Sequence, residues 1–104
     1  MKRVVVRYKV KADRLEEHED LIQKVITELG TRRPGGLAYH AFNLEDGVSF
    51  VHVASVSTPN GENPLAALPA FKAFVANIAD RCEEKPVTSS ATAILVYRAD
   101  DAPA

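Results

Sequence analysis

The chain has 104 residues, of which 46% are apolar and 26% charged, a composition that suits one domain over residues 1–104 and excludes a second. Thirteen basic residues against fourteen acidic ones give a net charge of −1, without the basic excess of nucleic-acid-binding proteins, so we expect no nucleic acid partner. The apolar run near the N-terminus, Val4–Val6, is too short for a signal-peptide core or a membrane span. We therefore expect a cytoplasmic protein with no membrane partner.

The first two predicted elements are a strand and a helix. Alternation over Arg3–Lys11 predicts a strand, with Val4, Val6, Tyr8 and Val10 on one face. Asp13 and Glu16 form a plausible capping box, and the apolar spacing after them predicts a helix over residues 14–29 that ends at Gly30. One face of this helix carries Leu15, His18, Ile22, Val25, Ile26 and Leu29.

A β-hairpin is predicted in the middle of the chain. Two runs rich in β-forming residues, 37–44 and 48–56, are connected through Glu45-Asp46-Gly47, and Asp-Gly between such runs is a strong hairpin signal. A tight turn at this point pairs Asn43 with Phe50 and Ala41 with His52. Tyr39, Asn43, Phe50 and His52 then share one face of the sheet.

A second helix and a last strand complete the chain. Asn63 can cap a helix that begins at Pro64, but Pro69 disfavours helical geometry at the residue before it. We predict a short turn over 64–68 and a main helix over 69–83 that buries Phe71, Val75, Ile78 and Cys82. Pro86 ends this helix, residues 87–98 form the last strand, and 99–104 are a loose tail.

The order of elements is βαββαβ, which predicts an α+β, ferredoxin-like fold with both helices on one face of an antiparallel sheet. The core then spans about residues 3–98. The other face of the sheet stays bare, and in the first strand it carries Arg3, Val5, Arg7 and Lys9. Because a second copy covers such a surface better than water does, we expect a homodimer.

Three stretches carry a resemblance to a known family: Phe50-Val51-His52-Val53, Asn63-Pro64-Leu65 and residues 68–74, LPAFKAF. Together with the length and the order of elements, they resemble the dimeric α/β-barrel superfamily, and more narrowly the antibiotic biosynthesis monooxygenase (ABM) domain proteins, over residues 3–98. The resemblance implies a homodimer whose two sheets pack into a dimeric α/β barrel, with a pocket between helices and sheet in each subunit.

Characterised members of this family oxidise polycyclic aromatic substrates with molecular oxygen and no metal or flavin, and relatives degrade haem. The resemblance therefore implies a cofactor-independent monooxygenase that binds a small aromatic or quinonoid metabolite and needs no cofactor. The alternative is a non-catalytic, small-molecule-binding or stress-associated homodimer. The family's enzymes use a pocket tryptophan, and the haem-degrading branch also uses a histidine on the second helix; this sequence has no tryptophan and no histidine there.

The candidate catalytic residues are His52, His18, Asn43 and Tyr39. A histidine titrates near neutral pH, so His52 or His18 could take a proton from a phenolic substrate. The amide of Asn43 and the phenol of Tyr39 could orient the substrate and stabilise the resulting anion. The alternative, which the residues alone favour, is that the face with Tyr39 and His52 is the dimer interface, where Tyr and His are common.

Five other residues are singled out, and His18 and Arg7 have two interpretations each. His18 lies in the middle of an apolar helix stripe, so it either marks a helix-to-sheet pocket or reaches the edge of the core. His40, on the opposite strand face, is interpreted as a core or edge histidine. Arg7, Phe50 and Phe71 are the ligand-binding candidates, although Arg7 could instead pair with an acidic residue of the partner.

We expect no metal site. The three histidines form no i, i+4 pair on a helix, so a metal could bind only if His18 met His40 or His52. Cys82 is the only cysteine, which excludes an internal disulfide and favours a small core residue. The loop over residues 32–36 could hold an anion but is more typical of a solvated turn.

Overall fold

The computed structural model describes residues 2–99 of the chain. Its strands are β1 (Lys2–Val10), β2 (Leu37–Asn43), β3 (Ser49–Val56) and β4 (Cys82–Ala91), and its helices are α1 (Leu15–Arg32), α2 (Pro69–Val75) and α3 (Ile78–Arg81). Short 3-10 turns, Ala12–Arg14 and Pro64–Ala67, precede α1 and α2. No helix in this part of the chain is both long and apolar enough to cross a membrane.

The four strands form one antiparallel sheet in the order β2-β3-β1-β4. This order belongs to the ferredoxin-like βαββαβ fold, so the predicted α+β fold class is confirmed. Side chains of α1 and α2 join those of β1 and β3 in one core cluster, which places these helices over the same face of the sheet. We call this covered face the inner face and the opposite one the outer face.

The inner face of β3 is the floor of the core. Phe50, His52, Ala54 and Val56 are all buried, in strict alternation with partly exposed neighbours. The core cluster contains Phe50 of this floor together with Tyr8, Val10, Val25, Phe74 and Cys82. His18, His52 and Tyr8 are thus buried among apolar side chains, where each polar atom needs a hydrogen-bond partner.

The predicted hairpin is confirmed together with its register. Asn43 lies opposite Phe50 and Ala41 opposite His52, and the Asp46 carboxylate accepts the backbone N–H groups of Val48 and Ser49 in the turn. Hydrogen bonds from the side chain and backbone of Ser49 lower the pKa of Asp46.

This register corrects two interpretations of the strand faces. The face with Tyr39 and His52 packs beneath the helices, so its interpretation as a dimer interface is wrong. His40 lies on the outer face, is exposed and stacks on Phe42 with 6.1 Å between ring centroids, so it is not a core histidine. On the inner face, the Tyr8 hydroxyl lies within hydrogen-bond distance of both His18 and His52.

Helix α1 differs from its prediction at both ends. No side chain caps its N-terminus, because the 3-10 turn over Ala12–Arg14 contains Asp13 and moves the start of the helix to Leu15. Gly30 does not end it, since α1 continues to Arg32 and ends at Arg33, whose φ is 47°. Ile26, placed on the buried stripe by spacing, is 54% exposed.

The single helix predicted over 69–83 is wrong. Asn77 has a φ of 60°, in the left-handed region that Asn tolerates, and divides this segment into α2 and α3. Phe74 is buried, whereas Val75, which was predicted to be buried, is 43% exposed. Cys82 is buried as predicted, but as the first residue of β4.

The last strand begins and ends earlier than predicted. β4 contains Pro86 instead of following it, and its pairing with β1 shifts register between Arg7 and Lys9. A proline is tolerated there because β4 is an edge strand, where a missing N–H leaves no central ladder broken. Of the predicted tail, residues 100–104 lie outside the described residues.

Candidate functional site

A cavity of about 240 Å³ lies between the inner face of the sheet and the segment that contains α2 and α3. Its wall is mostly apolar and includes Val4, Val6, Leu65, Phe71, Phe74 and Ile78. The polar residues that line it are Tyr8, Tyr39, His52, Asn63 and Thr88. An apolar cavity of about 150 Å³ is known to hold benzene, and pockets for drug-sized ligands begin at about 300 Å³. This volume therefore suits a molecule of one or two rings.

Larger concavities occur on the surface, but unlike this cavity they are open and polar. One runs along the solvent side of α1 between residues such as Asp20, Lys24 and Glu28, and another lies near Lys11 and Asp80. Both are open and lined mainly by charged or polar side chains, which remain hydrated. The cavity beneath α2 and α3 is mostly apolar, and the buried side chains of Tyr8 and His52 line it.

A chain of hydrogen bonds, which we call the relay, runs through the core to this cavity. The Arg81 Nε–H donates to His18 Nδ1 at 3.2 Å, and His18 Nε2 lies 2.7 Å from the Tyr8 hydroxyl. The same hydroxyl lies 2.8 Å from His52 Nε2, and His52 Nδ1 lies 2.5 Å from the Tyr39 hydroxyl. Five side chains from β1, α1, β2, β3 and α3 thus form one connected path.

Burial holds the two histidines and the two tyrosines of the relay in their neutral forms. It lowers the pKa of His52 to about 4, and together with the charge of Arg81 it lowers the pKa of His18 to about 4. It also raises the pKa of Tyr39 to about 12 and raises that of Tyr8 above its usual range. Near pH 7 the relay therefore consists of two neutral imidazoles and two neutral phenols beside one guanidinium.

Arg81 is a buried cation held by neutral acceptors. Its side chain is 2% exposed, and its guanidinium donates to the backbone carbonyls of Phe74 and, at 3.1 Å, of Ala76, as well as to His18. Within residues 2–99 it takes part in no ion pair. The break at Asn77 allows these bonds, because α2 ends with free carbonyl groups near the Arg81 side chain.

The structure brings some predicted site residues together and separates others. His52, Tyr39 and Phe71 line the cavity, and His18 lies behind Tyr8 in the relay, fully buried. Phe50 stacks on Tyr8 at 5.4 Å between ring centroids, in the core rather than in the cavity wall.

Asn43 and Arg7 are not brought to this cavity. Asn43 is exposed near the turn, where its side-chain amide donates to the Ser49 carbonyl at 3.1 Å. Arg7 is exposed on the outer face, opposite Val51 and Val87. In residues 2–99 no group of three His, Cys, Asp or Glu side chains is placed to hold a metal.

Two members of the relay were missed from the sequence. Tyr8 was placed on the buried strand face but given no role, although a phenol among valines signals a buried hydroxyl that needs a partner. Arg81 gave no such signal, because a charged residue on a predicted helix is far more often solvated than buried. In the structure it lies in the short helix that follows the break at Asn77.

The fold and the cavity define a class of protein: an antiparallel ferredoxin-like sheet with a small-molecule-sized cavity under its helices. Among solved structures, an antibiotic biosynthesis monooxygenase matches with a TM-score of 0.74 at 16% identity, over 91% of this chain and 100% of that one. A Mycobacterium tuberculosis protein matches with a TM-score of 0.73 at 15% identity, over 93% of this chain and 98% of that one.

SnoaB, a cofactor-independent oxygenase from Streptomyces nogalater, matches in a mutant form with a TM-score of 0.67 at 16% identity, over 91% of this chain and 94% of that one. No protein-family model and no curated protein matches the chain. The chain therefore has the fold of the antibiotic biosynthesis monooxygenase structures, and the predicted resemblance to the ABM domain proteins is confirmed at the level of the fold.

Proposed function

We propose that the protein is an ABM-like, cofactor-independent monooxygenase that binds a small aromatic or quinonoid metabolite in the cavity. One observation carries the proposal: the relay ends at Tyr39, whose side chain lines an apolar cavity with the volume of one or two rings. The likeness to SnoaB supports the class of reaction. The relay supports an anionic intermediate as the species that the site stabilises.

The proposed reaction converts a ring CH₂ or an equivalent enol to a carbonyl. The substrate loses a proton to solvent and enters the cavity as its enolate or phenolate, which reacts with O₂. One oxygen atom enters the product as the carbonyl, and the other leaves as water with the two substrate hydrogens. The protein holds the anion by a hydrogen bond from Tyr39 while the apolar walls exclude water.

His52 reaches a bound molecule through Tyr39. Each of its ring nitrogens is within hydrogen-bond distance of a tyrosine hydroxyl, Nε2 of Tyr8 and Nδ1 of Tyr39. We propose that His52 and, behind Tyr8, His18 act on the ligand through this path. They polarise the Tyr39 hydroxyl and do not contact the ligand themselves. Tyr39 and Phe71 then contact the ligand, Tyr39 through its hydroxyl and Phe71 through its ring.

The test is oxygen uptake by the purified protein with a panel of anthrones and hydroquinones. We expect turnover without added metal or flavin, and we expect Tyr39→Phe to lower kcat by about 10²-fold, the usual effect of removing one oxyanion donor. Thr27→Val, which removes an exposed hydroxyl from α1, is the matched control and should retain full activity.

No turnover with any member of the panel, combined with thermal stabilisation by the same molecules, would favour the non-catalytic binding protein instead. Turnover that Tyr39→Phe leaves unchanged would contradict the role of Tyr39.

We also propose that the protein works as a homodimer in which a second copy covers the outer face. Val5 pairs with Val53 across β1 and β3, and this apolar centre is flanked by Phe42, 50% exposed, and Val87, 53% exposed. Shortly after β4, the consecutive residues Ile94–Tyr97 are 65–96% exposed. Two-fold association is the commonest way to cover exposed apolar side chains of this kind.

A further inference from the structure

We infer that Arg81 is a positioning residue that fixes the direction of every hydrogen bond in the relay and so makes Tyr39 a donor towards the cavity. The inference concerns the resting protein and rests on the proposed function only for the use of that donor. Its starting point is one pair of atoms, Arg81 Nε and His18 Nδ1, at 3.2 Å.

A guanidinium has only donors and stays protonated, so His18 Nδ1 must be the acceptor. A neutral imidazole carries one N–H, which leaves the His18 proton on Nε2. This N–H then donates to the Tyr8 oxygen, 2.7 Å away. Arg81 therefore sets the tautomer of His18.

The same reasoning continues through Tyr8 to the second histidine. Because the Tyr8 oxygen already accepts from His18, its own O–H points to the other neighbour, His52 Nε2, 2.8 Å away. His52 Nε2 accepts that bond, so the His52 proton lies on Nδ1 and is donated to the Tyr39 oxygen. The two histidines thus have opposite tautomers, although both are buried.

At the end of the relay, the Tyr39 hydroxyl accepts from His52 and keeps its own proton to donate. Across residues 2–99, His52 is its hydrogen-bond partner, and the ring lies in the cavity wall. A bound molecule therefore meets an O–H donor, polarised by a series of aligned bonds that starts at a cation. The site selects ligands that present an oxygen acceptor, above all an enolate or phenolate.

Without Arg81, the direction of the hydrogen bonds in the relay is not fixed. If His18 Nδ1 has no obligate donor, the proton of His18 can lie on either nitrogen, and Tyr8 and His52 can reverse with it. In the reversed arrangement the Tyr39 O–H donates to His52 and offers the cavity only a lone pair. Removal of Arg81 should therefore change tautomer populations far beyond its own contacts.

The direct test is ¹⁵N NMR of the histidine side chains at pH 7, which distinguishes protonated from bare ring nitrogens. In the wild-type protein we expect the proton of His18 on Nε2 and that of His52 on Nδ1. In Arg81→Met we expect His52 to become a mixture of both tautomers, and in Arg81→Lys, which keeps an obligate donor, to retain the wild-type form. Arg14→Met, which removes a surface guanidinium that lies near Asp80, is the control and should match the wild type.

Three results would overturn the inference: a His52 proton on Nε2 in the wild type, an imidazolium at either position at pH 7, or unchanged tautomers in folded Arg81→Met. If Arg81→Met does not fold, His18→Phe keeps the bonds from Arg81 to the backbone carbonyls but cuts the path to Tyr8. In that variant the tautomers of His52 should also mix, and a single wild-type tautomer would count against the inference.

A second readout connects the relay to ligand binding without requiring turnover. 4-Nitrophenol absorbs in the visible range only as its phenolate, so its apparent pKa when bound reports how strongly the site stabilises an oxygen anion. We expect the bound pKa to lie below the free value in the wild type and Arg14→Met, and this shift to be lost in Tyr39→Phe and reduced in Arg81→Met. A wild-type pKa shift that survives in Tyr39→Phe would overturn the donor role, whatever the outcome of the oxygen-uptake test.

Discussion

His18 and His52 form a pair of buried bases whose neutrality contributes to the stability of the fold. Each has a pKa lowered to about 4, mainly by burial, from an ordinary value of 6.5. The unfolded chain therefore binds more protons than the folded protein between these two pH values, and the free energy of unfolding falls as the pH falls. The stabilisation is complete above pH 6.5 and is lost on the way down to pH 4.

We predict a loss on the order of 3 kcal/mol per histidine over this window, because one pKa unit corresponds to about 1.4 kcal/mol. Urea unfolding at a series of pH values from 7.5 to 4 measures it. His18→Gln should remove part of the pH dependence, whereas His40→Gln, at an exposed histidine outside the relay, should preserve it. A wild-type stability that is flat across the window would contradict neutral, buried histidines.

At the residue scale the sequence predicts part of the site. His52 and Tyr39 were found because strand alternation and the turn at Asp46-Gly47 determine which side chains share a face. His18 was found because helical spacing places it on an apolar stripe. Arg81 was not predictable, because its position depends on a backbone conformation several residues away that no local pattern requires.

The break between α2 and α3 depends on Asn77. Its φ of 60° lies in the left-handed region, and its side chain is exposed, so a substitution there tests the backbone conformation with little effect on packing. The break turns Arg81 towards His18 and exposes the carbonyl groups at the end of α2 to the guanidinium.

We predict that Asn77→Val lowers the free energy of unfolding by about 1–3 kcal/mol, the usual cost of holding an unsuited residue in a rare backbone region. Asn77→Gly should be neutral within about 0.5 kcal/mol, since glycine adopts positive φ without strain. Ala76→Val is the control, because Ala76 is exposed and has extended geometry that a β-branched residue accepts. Equal effects of valine at both positions, measured by chemical denaturation, would argue against a role for the left-handed conformation.

At the element scale, prediction succeeded where a short-range signal decides the structure. The hairpin follows from Asp46-Gly47, and its register from the turn alone. In the second helical segment the predicted start at Pro69 is confirmed, but the predicted end is wrong, because Asn77 interrupts the helix and Pro86 lies in a strand. A proline in an edge strand and a proline after a helix have the same local signature, and only tertiary pairing with β1 distinguishes them.

For the whole molecule, the outer face determines the proposed assembly. We predict that the wild-type protein sediments as a dimer and that Val87→Glu, which puts a charge on the outer face, shifts it to the monomer. Ile26→Glu is a matched control, since Ile26 is 54% exposed against 53% for Val87 but lies on α1. Sedimentation velocity over a range of concentrations measures the distribution.

A wild-type monomer at all concentrations would exclude the proposed dimer. A Val87→Glu protein that stays dimeric while Ile26→Glu dissociates would move the interface from the outer face of the sheet to the helices.

Pro86 also affects how copies of the chain can and cannot associate. An open strand edge is a template for adding further strands, and a chain with apolar residues after that strand risks growth into fibrils. The proline removes one N–H from the β4 edge, and the register shift beside it bends the ladder away from the flat geometry that fibrils require. Growth of a continuous sheet from copy to copy is therefore interrupted at Pro86, so the strand that precedes the apolar Ile94–Tyr97 segment is itself a poor template for aggregation.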